Sequence, residues 1–156
     1  MTLKIQRLFN IAMVLITWLT LPMFGLRNLK RFLPSTVLVI LFEIVNALYG
    51  KKQKWWVFYN KPNSFLFGEA PYYLGPFLGI SLWSLRWTYG SFKWFIILNG
   101  IIHILFAYPI TFLSKKIKYY TLARINNIQF FLYFFSKAFL LYGFQHLFEQ
   151  IRHKKN

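Results

Sequence analysis

The chain reads as an all-α integral membrane helical bundle of five transmembrane helices, and three observations carry that reading. It is 57% hydrophobic and 14% charged over 156 residues, against roughly 25% charged in soluble domains. Five apolar segments recur, each near the roughly 17–25 residues a helix needs to cross hydrocarbon. The Lys and Arg residues gather in short clusters between those segments, as they do where loops meet anionic headgroups. A soluble domain of this size could not hide so much apolar surface. The length allows one bundle and no separate soluble domain.

The first span covers about 8–25. A basic MTLKIQR precedes it, but the apolar run is longer than a signal-peptide core. It ends in LPMFGLRN without a small-residue cleavage site, which makes it an uncleaved span. The second span, about 33–49, opens at Pro34, a residue suited to a first helical turn. The third, about 72–90, contains Pro76, Arg86 and the pair Gly75 and Gly79, whose small-xxx-small spacing lets another helix approach closely. A partly inserted third segment would leave four spans as the alternative. The link TYGSFK is so short that the third span and the fourth, about 94–113, form an antiparallel hairpin. The fifth covers about 128–148.

The longest link, 50–71, reads GKKQKWWVFYNKPNSFLFGEAP. Lysines alternate there with aromatic rings, the pattern of an interfacial segment lying on the membrane. Lys51, Lys52, Lys54, Trp55 and Trp56 are its candidate lipid contacts. Arg86, flanked by Trp83 and Trp87, joins them by snorkelling from the end of the third span. No internal repeat is evident, and an odd number of spans argues against matched halves. Five spans put ten Lys and Arg residues on the N-terminal side, Lys61 among them, and seven on the other, Lys155 among them. The positive-inside rule then places the N-terminus in the cytoplasm.

One of only three acidic residues, Glu43, lies inside an apolar run. A charge there is costly and needs a partner or a role. Converting position to depth at 1.5 Å per residue puts Glu43, His103 of the fourth span and Lys137 of the fifth within roughly 1–2 Å of one level. Asn46, Asn99 and Tyr133 fall on the same stripes. The candidate intramembrane polar cluster is therefore Glu43, Asn46, Asn99, His103, Tyr133 and Lys137. It has two readings. A Glu–Lys pair can fix which helices pack. Alternatively, Glu43 can exchange a proton or bind a cation while His103 relays.

Little points to chemistry. There is no Asp and no Cys, and no paired carboxylates, zinc-peptidase, nucleophile-elbow or phosphate-loop motif. No catalytic residue, cofactor or metal site is expected. The net charge of +16 suits anionic lipid, not nucleic acid, because its clusters alternate with spans. The expected partners are the bilayer and a second copy or another membrane protein.

RNLKRFLP at 27–34, Glu43, YLGPF at 73–77, TYG at 88–90 and FLLYG at 139–143 together resemble small, uncharacterised multi-pass membrane proteins of Bacillus-type bacteria. The resemblance spans most of the chain from Arg27 onward. It implies a bacterial cytoplasmic membrane protein and carries no activity or site residue with it. The expected function is a structural, accessory or sensory membrane component. The alternative is a small transporter or ion-coupled permease lined by Glu43, His103 and Lys137.

Overall fold

A computed structural model describes residues 1–59 and 68–154. Lys61 and Lys155, which entered the orientation argument, lie outside the described residues. Among the described residues, five helices run in chain order: α1 (Leu3–Phe24), α2 (Leu26–Lys52), α3 (70–88), α4 (Phe92–Lys116) and α5 (Asn127–Lys154). Two short strands, β1 (Trp56–Phe58) and β2 (Tyr120–Leu122), follow α2 and α4. The all-α class holds, and α1, α2 and α4 are long and apolar enough to cross a membrane. Their exposed residues are mostly large and apolar, such as Leu19, Val45, Ile101 and Phe112.

α1 starts at Thr2, whose hydroxyl accepts from the Ile5 N–H at 3.4 Å. A single residue, Gly25, joins α1 to α2 with φ +82°, a conformation that side chains other than glycine's resist. α2 starts at Leu26, so Pro34 lies well inside it and does not open it. The hydroxyls of Ser35 and Thr36 both bond the Phe32 carbonyl nearby. Pro109 sits in a π-helical stretch of α4, Phe106–Ile110, and Pro76 follows a kink in α3 at Gly75, whose φ −109° and ψ −106° are non-helical. Proline removes a ladder donor, and a wider turn absorbs the mismatch. Neighbours bond backbone there: the Trp18 indole donates to the Leu74 carbonyl at 2.9 Å, and the Asn127 amide donates to the Ala107 carbonyl.

α1 and α3 run parallel and lie close. A Cβ on Gly75 would come within 3.0 Å of the Met13 carbonyl oxygen, and one on Gly79 within 2.9 Å of Thr17 Cγ2. The small-residue spacing therefore serves the α1–α3 contact. α5 packs antiparallel to α2, with Gln145 against Ser35 and Lys137 against Glu43. It packs antiparallel to α4 as well, with Tyr142 against Phe95 and Phe130 against Phe106.

The fold contains the repeat that the sequence concealed. KKQKWW at 51–56 and KKIKYY at 115–120 lie 64 residues apart, as do ILF at 40–42 and ILF at 104–106. Both basic motifs end a helix in the same way. Lys54 and Lys118 take left-handed conformations, with φ +54° and +57°. The Lys54 and Lys118 N–H groups bond Lys51 and Lys115 carbonyls, and the Trp55 and Tyr119 N–H groups bond Gly50 and Ser114 carbonyls. These are paired Schellman caps. The strands that follow pair antiparallel about Val57 and Thr121, with Trp56 opposite Leu122 and Phe58 opposite Tyr120. That register is symmetric under the same 64-residue shift. The chain is thus two helix–helix–strand units, α1–α2–β1 and α3–α4–β2, with α5 added between α2 and α4. Parallel repeats of this kind relate halves by an axis along the bundle.

Candidate functional site

Apart from a Ser35–Gln145–Glu149–Arg31 network between α2 and α5, two candidate sites among the described residues hold buried polar groups. The first is at mid-height, where α2 and α5 meet. Lys137 Nζ lies 3.2 Å from Glu43 Oε2, with both side chains almost wholly buried. The Tyr133 hydroxyl donates to Glu43 Oε1 at 2.7 Å. Lys137 also donates to the Tyr133 carbonyl one turn back at 2.8 Å and stands 3.5 Å from that ring's centroid. Spacing of four residues on α5 places both groups on one face, so the pair is held from two sides. His103 and Asn99, also buried, flank Lys137 around a cavity of about 10 Å³, the least volume that admits a single water. The Asn99 amide donates to Phe95 on its own helix, and His103 stacks on Phe134. His103 Nδ1 has no hydrogen-bond partner among the described residues. Asn46 stays apart: it is half-buried and its amide donates to the Phe42 carbonyl on its own helix.

The second site lies at the end of the bundle that carries the N-terminus. A chamber of about 380 Å³ opens beneath β1 and β2 and between α1, α3, α4 and α5. Trp56, Phe58, Tyr72, Tyr119, Tyr120 and Phe134 supply most of its aromatic wall. Glu69, 4% exposed, borders it just ahead of α3. The Trp56 indole donates to Glu69 Oε1 at 3.3 Å. Oε2 has no hydrogen-bond partner among the described residues. Burial pushes the Glu69 carboxyl above the usual carboxylate range, against the pull of its own backbone N–H, the Lys51 charge and the Trp56 bond. The Tyr119 hydroxyl donates to Asn10 Oδ1 at 2.7 Å, and the Tyr120 hydroxyl meets Thr111 Oγ1 at 3.0 Å. Tyr119 and Tyr120 therefore spend their hydroxyls on helix partners. Phe9 of α1 and Ile110 and Leu113 of α4, all exposed, frame its open side.

The 50–71 link does not lie flat on the surface over its described residues. β1 folds back, and alternation within the strand sends Trp56 and Phe58 inward. Trp56 is therefore a core residue and not a lipid contact. Trp55 is half-buried against Tyr49, Trp56 and Tyr133. Lys52 and Lys54 are exposed, and Lys51 is half-buried. Residues 60–67 of the link lie outside the described residues. Arg86 donates to the Met23 and Phe24 carbonyls at 2.8 and 2.9 Å and stacks on Trp83 and Phe24. Its guanidinium caps the C-terminus of α1, where a cation meets the negative end of the helix dipole, in place of the interface. No group of three or more metal-ligating side chains occurs among the described residues.

Sequence reasoning missed Glu69, because its burial depends on β1 returning Trp56 across it, a contact with no local signature. The one available signal was the Lys-Lys-x-Lys-aromatic-aromatic motif, whose second copy at 115–120 marks where the partner strand begins. No family model, curated protein or solved structure matches the chain.

Proposed function

We propose that this chain is a multi-pass protein of the bacterial cytoplasmic membrane, with five crossing helices and a cytoplasmic N-terminus, that serves as an accessory or sensory component and not as a permease. One observation carries this reading. Glu43 and Lys137 neutralise each other at 3.2 Å beside a cavity of only about 10 Å³. A conduction path needs water or exchangeable ligand positions along its length. Here the carboxylate is held by Lys137 and Tyr133, and aromatic packing surrounds both. Exposed apolar residues along α1, α2, α4 and α5 and basic clusters at both ends support insertion in lipid. The permease is the second reading, favoured by the unpartnered His103 Nδ1 beside Lys137.

The absence of cysteine allows a clean test with single-cysteine variants and a membrane-impermeant thiol reagent. With access to both faces, Lys54→Cys reacts and Asn99→Cys stays protected. Reaction at Asn99→Cys would establish a water path and overturn the reading. Added from outside intact cells, the reagent labels Lys154→Cys but not Thr2→Cys. Labelling of both or neither would contradict five crossings.

A further inference from the structure

We infer that the end chamber is a binding site for a small lipophilic organic cation, such as an amine or quaternary ammonium with an apolar body, held by Glu69 and the surrounding aromatic rings. Four features of the chamber converge on that class. Its volume of about 380 Å³ falls in the range of small-molecule sites. Its one charged wall residue is Glu69, and among the described residues no Lys, Arg or His lines it. Glu69 Oε2 is buried without a hydrogen-bond partner among those residues, an arrangement that costs stability unless something positive completes it. The Tyr119 and Tyr120 hydroxyls are bonded to Asn10 and Thr111, neither of which lines the space, so the wall is chiefly aromatic ring. Aromatic walls around a carboxylate attract a cation and repel an anion.

An acyl chain or other neutral occupant would fill the same apolar volume but leave Oε2 desolvated and unanswered. The chamber's open side lies between α1 and α4, framed by exposed Phe9, Ile110 and Leu113. A hydrophobic cation partitioned into the bilayer would enter there. α5 packs against both α2 and α4 and places no helix on the α1–α4 side. Glu69 has no acidic counterpart: the position one repeat earlier is Ile5.

The decisive probe is a pair of isosteres, benzyltrimethylammonium and the neutral neopentylbenzene, titrated calorimetrically into the full chain in zwitterionic nanodiscs with empty nanodiscs as the blank. The wild-type chain is expected to bind the cation about tenfold or more tightly than the isostere. Glu69→Gln is expected to abolish that preference and leave isostere binding unchanged. Equal binding of the two compounds by the wild-type chain, an undiminished preference in Glu69→Gln, or no binding of either would overturn the inference. Should Glu69→Gln fail to fold, the wild-type chain decides alone. Cation affinity then falls as Glu69 is protonated on acidification while isostere affinity stays level, with Lys51, Tyr73 and Tyr119 the other ionisable groups near that carboxylate. A level cation affinity across that range would be fatal.

Discussion

At the scale of single residues, the two buried carboxylates are opposites. Glu43 has a counter-charge in contact: Lys137 Nζ stands 3.2 Å from Oε2, and Tyr133 donates to Oε1. Glu69 is half-engaged, with Trp56 on one oxygen and none of the described residues bonding the other. Buried charge without complete pairing lowers stability, and it persists where something else selects it. Glu69→Gln should therefore stabilise the empty protein at neutral pH by about 1–2 kcal/mol, because it removes a desolvated charge while keeping a polar group in the same place. The glutamine oxygen can still accept from the Trp56 indole. The pH dependence follows from the raised folded-state value. Folding favours the protonated acid, so the penalty is full above the folded value, shrinks as pH falls through it, and vanishes below the unfolded value near ~4.3. Melting curves of both proteins from pH 8 to pH 4 should converge at the acid end. A constant gap, or a less stable variant at pH 8, would count against an unsatisfied Glu69.

At the scale of elements, the closest approach is between α1 and α3. Gly79 sits against Thr17 and Gly75 against the Met13 backbone. Gly79→Ala pushes a methyl to 2.9 Å from Thr17 Cγ2, a clash worth about 1–3 kcal/mol of overpacking. Thr17→Ala clears the space, and the double variant should recover most of the loss in a detergent-melt assay. Gly75→Ala has backbone in its way and no such rescue. Independent losses that simply add would show that the two residues do not touch. The glycine spacing was legible in the sequence, as were five helical segments and the grouping of Glu43 and His103 around Lys137, because hydrophobic length and rise per residue are local properties. The β1–β2 pairing was not, since three-residue strands carry too little pattern to separate from an interfacial aromatic run. Arg86 also escaped: a guanidinium beside two tryptophans suggests snorkelling, and only the tertiary arrangement brings the end of α1 within its reach. Pro34 misled for a related reason, because the helix around it starts eight residues earlier, at Leu26.

At the scale of the whole molecule, two repeated units and one unmatched helix explain both sites. The paired strands close the N-terminal end and roof the chamber. α5 supplies Lys137 to Glu43 of the first unit and packs on His103 of the second, so it ties the units together through their middle. One repeat on from Glu43 stands Ala107, and one repeat back from His103 stands Val39. The polar centre therefore exists only because α5 breaks the symmetry. Removing either partner of such a buried pair costs about 3–5 kcal/mol, enough to deplete the folded protein.

The most direct measurement is the membrane abundance and melting temperature of Glu43→Lys, Lys137→Glu and the double reversal. The locked scaffold predicts severe loss in each single variant. It predicts clear but partial recovery in the double, because the Tyr133 hydroxyl and carbonyl remain placed for the original polarity. Near-normal abundance of the single variants, or a double variant no better than either, would contradict the account.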